Sequence, residues 1–330
     1  MRLINVKNKN LEDFTGRSPP EYAILSHTWS PPKYAIQSHT WVSEEITFSE
    51  MQSQQPDKDK AGWKKIELSC KQAEDDGHGY VWCDTCCIDK SSSAELSESI
   101  NSMFRWYQEA EVCYAFLEDV QDIKGLANAK WFTRGWTLQE LIAPKSLVFY
   151  NSAWQNIGTR EKLADVIAER TKIHKSFLSG SVSKIHEASF AKRVAWAANR
   201  DTTRDEDIAY CLMGLLDVNM PLLYGEGDVK AFRRLQEEYL KVHPDQSFLA
   251  WLLPPGVGGA RASDGDLLAS LPKDFGQCHG ISLASDDAVP FTLNNKGLQI
   301  RLPLFQNRSV DAIRSPEYFA VLACYSDAPT

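Results

Sequence analysis

The chain has little of what marks membrane proteins or proteins that bind nucleic acid. Among its 330 residues no apolar run approaches the roughly 20 residues that cross a bilayer, so no membrane span is predicted. A formal net charge of −8 and a pI near 5.5 give no attraction to phosphate backbones, so nucleic acid is not an expected partner. A content of 43% hydrophobic and 24% charged residues instead predicts a globular protein with an ample core.

Cysteine is also scarce for a chain of this length, with eight residues, and no apolar leader follows Met1. We therefore expect a cytoplasmic protein with free thiols, because disulfides are typical of small secreted domains. Cys83 and Cys86 have the Cys-x-x-Cys spacing of zinc or thiol-exchange sites, and His78 lies nearby. No second ligand pair stands at the usual spacing, so no metal site is predicted.

Three widespread catalytic signatures are missing. The sequence has no Gly-x4-Gly-Lys phosphate loop, no His-Glu-x-x-His and no Gly-x-Ser-x-Gly. Their absence argues against the nucleotide, protease and esterase mechanisms that depend on them. No resident cofactor is predicted.

A tandem duplication of twelve residues stands near the start of the chain. Pro-Pro-x-Tyr-Ala-Ile-x-Ser-His-Thr-Trp occupies residues 19–29 and again residues 31–41. Each copy has the composition of a short strand, but a parallel sheet has room for only one of them at this place. Either copy could be the strand in the sheet, and the other is surplus.

After the duplication, apolar residues recur alternately at strand spacing and at helix spacing. Such alternation yields a parallel sheet flanked by helices, because right-handed crossovers place each helix over the sheet. The pattern predicts helices over residues 61–76, 91–107, 134–143 and 159–171, and strands over residues 80–83, 112–117 and 147–150. The predicted fold class is therefore α/β.

Beyond residue 171 the strand pattern stops, and helical periodicity predicts an extension with helices over residues 188–199, 203–216 and 228–242. A Gly- and Pro-rich linker follows, after which residues 291–303 alternate like a hairpin and residues 318–324 resemble a strand. The end of the chain soon afterwards suggests truncation. The predicted division is an α/β core, a helical part and a linker with a β-rich segment, over residues 1–171, 172–245 and 246–330.

Three segments together carry a family resemblance. They are the Ser-His-Thr-Trp strand end, the run Trp-Cys-Asp-Thr-Cys-Cys-Ile-Asp over residues 82–89, and the block over residues 131–144 that contains Arg-Gly-Trp-Thr-Leu-Gln-Glu. In these segments the chain resembles the fungal heterokaryon-incompatibility (HET) domain, a family implicated in non-self recognition and programmed cell death. The departures are the duplicated strand and Cys83, where the family commonly has an aliphatic residue. The family's single copy continues as residues 31–41 continue here, which favours residues 34–38 as the sheet strand.

The order of elements in this family is similar to that of Toll/interleukin-receptor (TIR) domains, which implies a TIR-like (flavodoxin-like) parallel sheet. TIR domains that hydrolyse NAD carry a glutamate on a short helix after the third strand, in a Trp-Cys-x-x-Glu-Leu segment. Trp136-Thr-Leu-Gln-Glu140-Leu stands at the same place here. The resemblance therefore implies Glu140 as a catalytic residue and NAD as a small-molecule substrate. One carboxylate suffices, since nicotinamide is a good leaving group.

Ligands of doubly wound sheets bind beyond the carboxyl ends of the strands. The residues expected to surround NAD there are Ser38, His39, Asp84, Arg134 and Trp136. Each also has a structural interpretation, since Glu140 could pair with Arg134, His39 could be a buried histidine and Asp84 a helix cap. The sequence alone leaves these alternatives open.

Three functions are compatible with this reading. The first is an incompatibility effector that hydrolyses NAD at the nicotinamide glycosidic bond and is switched on by self-association into a homo-oligomer. The second is a non-enzymatic signalling module whose same surface binds other HET or sensor proteins. The third is a nucleotide sensor that binds without turnover.

Overall fold

The computed structural model of the chain describes residues 1–28, 44–53, 56–252, 267–284, 290–306 and 318–326. The chain falls into two compact units, Met1–Val182 and Ser183–Thr330. The division at residues 171 and 245 stays a prediction. Within the described ranges no helix has the length and apolarity that crossing a membrane requires.

The first unit is built on one mixed sheet. Its strands are β1 (Arg2–Asn5), β2 (Leu11–Asp13), β3 (Ala23–His27), β4 (Tyr80–Trp82), β5 (Val112–Phe116), β6 (Leu147–Tyr150) and β7 (Asn156–Thr159). They lie in the order β2-β1-β4-β3-β5-β6-β7. The four middle strands are parallel, whereas β1, β2 and β7 pair antiparallel at the two edges. The predicted α/β class is confirmed.

Helices connect these strands. They are α1 (Phe48–Gln52), α2 (Ala61–Asp75), α3 (Asp84–Cys87), α4 (Ser93–Glu109), α5 (Thr137–Ile142) and α6 (Ala164–Thr171), with 3-10 turns over Ile123–Asn128, Lys130–Thr133 and Lys175–Leu178. Helix α4 begins where the sequence predicts, because the Ser92 hydroxyl accepts a hydrogen bond from the Glu95 amide at 3.3 Å. The helix predicted from residue 159 begins only at Ala164, because residues 156–159 pair with β6 as an edge strand.

The first copy of the duplication lies in the sheet. Strand β3 pairs in parallel with β4 on one side and with β5 on the other, so the expectation that residues 34–38 take this place is wrong. Leu25 supplies the physical reason, since it is 1% exposed within β3, and the matching residue of the second copy is Gln37. Burying an amide where leucine fits costs free energy unless a hydrogen-bond partner meets it. The second copy lies outside the described residues.

The second unit contains helices and short strand pairs. They are α7 (Val182–Glu187), α8 (Phe190–Ala195), α9 (Asp207–Tyr210), α10 (Met213–Leu216), α11 (Asp228–Val242), β8 (Ile281–Leu283), β9 (Thr292–Asn294), β10 (Gly297–Gln299), β11 (Leu304–Gln306), β12 (Tyr318–Ala320) and β13 (Cys324–Ser326), with 3-10 turns over Gln246–Leu252 and Pro272–Phe275. Helix α11 and the β9–β10 hairpin are as predicted.

Two predicted elements of this unit are interrupted. The helix expected over residues 203–216 consists of the two short helices α9 and α10, separated by a turn. The strand expected over residues 318–324 is split because its two ends have different partners. Strand β12 pairs with β11, whereas β13 pairs with β8.

Candidate functional site

The parallel strands β4, β3, β5 and β6 end at one edge of the sheet. Along the chain β3 is the first of them, β4 lies to one side of it, and β5 and β6 lie to the other. The connection from β3 therefore runs to one side of the sheet, and the later connections run to the other side. Doubly wound sheets bind their ligands at the carboxyl ends of the strands beside such a reversal. Two groups of polar side chains lie at this edge, one around Glu140 and one around His27.

Glu140 is a buried carboxylate on the short helix α5, with 7% of its surface exposed. The hydroxyl of Ser26, in β3, donates a hydrogen bond to it. The same hydroxyl oxygen accepts a hydrogen bond from the indole Nε1 of Trp131 at 2.8 Å. A buried carboxylate is tolerated only when such groups replace its water, so these contacts fix Glu140 beside the end of β3.

The helix that carries Glu140 is held at its end by Arg160, which the sequence reasoning missed. The Arg160 side chain is fully buried, and its Nη1 and Nη2 donate to the carbonyl oxygens of Leu141 at 2.7 Å and Lys145 at 3.1 Å. The last carbonyls of a helix have no donors within the helix, so this guanidinium satisfies the Leu141 carbonyl in the last turn of α5 and also joins α5 to the Lys145 carbonyl beyond its end. By pattern alone, an arginine in a charged run cannot be told from a surface arginine.

The beginning of α5 carries two of the predicted substrate-binding residues. Arg134 ends the preceding 3-10 turn and Trp136 caps the helix, and both are half-buried. The hydroxyl of Thr137 donates to the carbonyl oxygens of Trp131 and Arg134, the second at 2.9 Å. These bonds join the start of α5 to the turn that holds Trp131, which in turn contacts Ser26.

The second group surrounds His27, the last residue of β3, whose side chain is 2% exposed. Its Nε2 lies 3.5 Å from Oδ1 of Asp84 and 3.7 Å from Sγ of Cys83. Its Nδ1 lies 3.3 Å from the carbonyl oxygen of Thr28 and 3.9 Å from a carboxylate oxygen of Glu45. Consecutive side chains of a strand point to opposite faces, so this group and the Ser26–Glu140 pair approach the edge from different faces of the sheet.

Two lysines balance the acids of the His27 group. Lys65 is buried, and its Nζ donates to Glu45 at 2.7 Å, while Lys90 donates to Oδ2 of Asp84 at 3.2 Å. Burial raises the pKa of Asp84, but the charges of Lys90 and His27 hold that pKa well below its usual range. Asp84, the first residue of α3 and 22% exposed, is therefore ionised at neutral pH.

The thiol of Cys83 is acidified by its neighbours. A hydrogen bond from Cys86 lowers the pKa of Cys83 to about 5, with His27 acting in the same direction and burial opposing both. Burial lowers the pKa of His27, but the neighbouring Asp84 and Cys83 and the charge of Glu45 raise that pKa well above its ordinary value. At neutral pH the group thus holds a thiolate beside an imidazolium.

The predicted site residues are therefore only partly described. Asp84 and Glu140 lie at the carboxyl edge of the sheet, and Arg134 and Trp136 lie at the start of α5. Ser38 and His39 lie outside the described residues, and their counterparts in the first copy are Ser26 and His27. Cys83 could have been singled out from the sequence, since it departs from the family's aliphatic residue, whereas Glu45 and Lys65 carry no such signal.

Two family models match parts of the chain. A family model described as heterokaryon incompatibility protein (HET) matches residues 22–126, which include β3, β4 and β5 and end before α5. A domain of unknown function, DUF8212, matches residues 230–303. No solved structure matches the chain significantly.

A curated relative extends the match. The vegetative incompatibility protein HET-E-1 of Podospora anserina is 44% identical over 247 residues, which make up 72% of this chain and 17% of that protein. The chain therefore corresponds to only a small part of this relative, 17% of its length. The family model includes the ends of β3 and β4, and with them Ser26, His27, Cys83 and Asp84. Together these matches show that the chain belongs to the heterokaryon-incompatibility (HET) family.

Proposed function

We propose that the chain is a heterokaryon-incompatibility effector that hydrolyses NAD at the nicotinamide glycosidic bond, with Glu140 as its catalytic carboxylate. The matched domain and the name of the Podospora relative support the role in incompatibility. One structural observation carries the proposed chemistry. A glutamate on the short helix that follows the third parallel strand meets a hydroxyl at the end of the first, beside the point where the connections reverse.

The order of the parallel strands supports a TIR-like sheet. Numbered along the chain, the strands β4, β3, β5 and β6 are the second, first, third and fourth parallel strands. This sequence matches the first four places of the doubly wound order 2-1-3-4-5. Glu140 then stands on the helix between the third and fourth parallel strands, as the TIR comparison requires.

The chemistry needs little besides a well-placed carboxylate. When the bond between the ribose and nicotinamide breaks, the ribose ring acquires oxocarbenium character, and a buried carboxylate stabilises that charge. Nicotinamide takes the bonding electron pair and leaves as a neutral molecule, so no second acid must protonate it. Water then adds to the ribose carbon, and the products are ADP-ribose, nicotinamide and one proton. The Ser26 hydroxyl keeps Glu140 in place for this step.

The other site residues are assigned to binding. Arg134 offers a guanidinium suited to a pyrophosphate, and Trp136 offers an aromatic face for a ring of NAD. Asp84 is a candidate acceptor for a ribose hydroxyl. The roles expected for Ser38 and His39 pass to Ser26 and His27, which hold the corresponding positions in the strand that lies in the sheet.

The enclosure of Glu140 favours a second candidate. With 7% of its surface exposed and a hydroxyl donating to it, the carboxylate is also suited to a structural role. A non-enzymatic module that binds other HET or sensor proteins would keep this glutamate buried at all times. An enzyme must expose it to the substrate, and self-association of several copies is the event that we propose for this exposure.

The two candidates separate in an assay of NAD consumption by the purified chain, alone and clustered through an oligomerising tag. Nicotinamide and both linear and cyclic ADP-ribose are separated by chromatography. Glu140→Gln and Glu140→Ala are expected to lower the rate by about 10²–10³-fold, the usual effect of removing a group that stabilises the transition state. Glu111→Gln removes an exposed carboxylate just before β5, at the opposite end of the strand, and should leave the rate unchanged.

The glutamine variant is the stricter of the two, because its amide oxygen can still accept the hydrogen bond of Ser26 and the fold is retained. NAD loss that persists in both Glu140 variants would remove Glu140 from the mechanism. If the wild-type chain consumes no NAD even when clustered, the non-enzymatic module is the correct function.

A further inference from the structure

Three different metal-ligating side chains meet where β3 and β4 end. His27, Cys83 and Asp84 each present one donor atom, and these atoms all lie within 4.8 Å of one another. His27 is the last residue of β3, and the other two directly follow β4, so two adjacent parallel strands supply the group. The proposed NAD chemistry makes no use of Cys83.

The two separations from Nε2 of His27 suit ligands that share one ion. The 3.5 Å between Nε2 of His27 and Oδ1 of Asp84 exceeds the 2.7–3.2 Å typical of a hydrogen bond, and Sγ of Cys83 lies 3.7 Å from the same nitrogen. Zinc binds nitrogen and oxygen at about 2.0–2.1 Å and sulfur at about 2.3 Å, so tetrahedral geometry spaces its ligands roughly 3.3–3.6 Å apart. Small side-chain movements therefore bring the three donors onto one ion.

The orientation of the imidazole supports the same interpretation. Nε2 of His27 faces the other two donors, whereas Nδ1 faces the carbonyl oxygen of Thr28 at 3.3 Å and the carboxylate of Glu45 at 3.9 Å. Histidines that bind metals commonly donate the second ring N–H to a carbonyl or a carboxylate, which leaves the lone pair on the metal side. The Thr85 hydroxyl, 3.2 Å from Sγ of Cys83, can likewise donate to the bound sulfur.

We propose that His27, Cys83 and Asp84 bind one divalent transition-metal ion, with Zn²⁺ as the expected occupant. The mixture of nitrogen, sulfur and oxygen donors suits zinc, and one thiolate with one carboxylate neutralises its two charges. Binding requires neutral imidazole, so the proton on His27 is released to solvent as the ion enters. Three protein ligands leave a fourth position for water. Asp84 is the most exposed of the three, so the ion is expected to enter the site from its side.

This site differs from the one that the cysteine spacing suggests. Cys86 lies three residues beyond Cys83, and its Sγ interacts with the Cys83 thiol and, at 3.9 Å, with the Cys83 carbonyl oxygen. It is not among the three donor atoms that meet at this site. His78 precedes β4, whereas Cys83 follows it, so the length of the strand separates them. Cys86 and His78 therefore provide matched controls of the same residue types.

The test is metal binding by the purified full chain after chelation. Zn²⁺ is titrated in competition with a chromophoric chelator, and Co²⁺ is added in parallel because a tetrahedral cobalt–thiolate site has a charge-transfer band and intense visible bands. We expect one equivalent of either metal. Cys83→Val, which introduces the kind of residue the family commonly has, should abolish the charge-transfer band. It should also weaken zinc binding by at least about 100-fold, since loss of outer-shell partners alone costs 10–100-fold.

Cys86→Ser and His78→Gln should bind both metals like the wild type, because the serine hydroxyl can still donate to Cys83. Far-UV circular dichroism of each variant checks that it is folded, and the cobalt spectrum of the wild type needs no variant at all. Wild-type protein that binds no stoichiometric metal overturns the proposal. So does a cobalt spectrum without a thiolate band, or binding that survives Cys83→Val and is lost with Cys86→Ser. His27 and Asp84 are assigned both to this site and to NAD binding, whereas Cys83 and Glu140 each belong to one site only. Because none of these measurements involves NAD or Glu140, they test the metal site separately from the catalytic role of Glu140.

Discussion

Removing Arg160 tests whether a buried cation holds the helix of Glu140 in place. In Arg160→Ala the carbonyl oxygens of Leu141 and Lys145 lose charge-assisted hydrogen bonds, each worth about 1.5–3 kcal/mol. The variant also relieves the cost of burying the guanidinium, so we place the net loss near the lower limit of the sum, about 3 kcal/mol. That is a large part of the roughly 5–15 kcal/mol that stabilises a domain.

The assay is hydrogen–deuterium exchange of the peptides that contain α5. A local loss of about 3 kcal/mol raises the opening equilibrium, and with it the exchange rate, roughly a hundredfold. Glu161→Ala is the matched control, because Glu161 lies 3.3 Å from Arg160 but its side chain is half exposed, so water screens this pair and its loss should cost less than the loss of the two carbonyl contacts. Exchange in α5 that is less than tenfold faster, or equal in the two variants, would refute the role of Arg160 as the anchor of this helix.

Two further predictions concern a glycine and a histidine. Gly180→Ala should destabilise the first unit by about 1–3 kcal/mol in urea unfolding, because Gly180 has a φ of +74° and an added Cβ would lie 2.5 Å from Nη2 of Arg160. Gly225→Ala, at +101° with open space around it, should cost less. In the second unit, burial and the charge of Arg193 lower the pKa of His243 below its ordinary 6.5. The neutral form of His243 therefore contributes stability that is complete above pH 6.5. This stability is lost as the pH falls through the lower pKa of the folded state. Acidification from about pH 7.5 to 5.5 should therefore destabilise the wild type more than His243→Gln, and equal losses by thermal unfolding would contradict this.

Local signals account for the elements that the sequence predicts well. Helix α4 has a serine cap, and helix α11 has regular apolar spacing, so both follow from near neighbours. Strands β1 and β2 are only four and three residues long and were not predicted, because short strands among polar residues have no clear alternation. The interrupted strand near the end of the chain depends on partners elsewhere, which no local window contains.

The candidate site shows the same limit. Glu140 was found from its motif, but its contact with Ser26 joins residues 114 positions apart, and Trp131 reaches the same hydroxyl across 105 positions. The choice between the two copies of the strand could have been made from the sequence, since only Leu25 suits a fully buried strand and Gln37 does not. The roles of the buried cations Arg160 and Lys65 could not have been predicted from the sequence, because their partners are brought next to them only by folding.

The two copies of the twelve-residue unit also affect how alleles of this gene can change. Unequal recombination between the repeats deletes one twelve-residue copy in frame. The hybrid copy that remains has the sequence of the first copy up to the crossover and that of the second copy after it. A crossover beyond codon 25 keeps leucine at the centre of β3, whereas an earlier one installs the glutamine of codon 37. Deletions that are identical in length would then differ in the stability of β3 in their products.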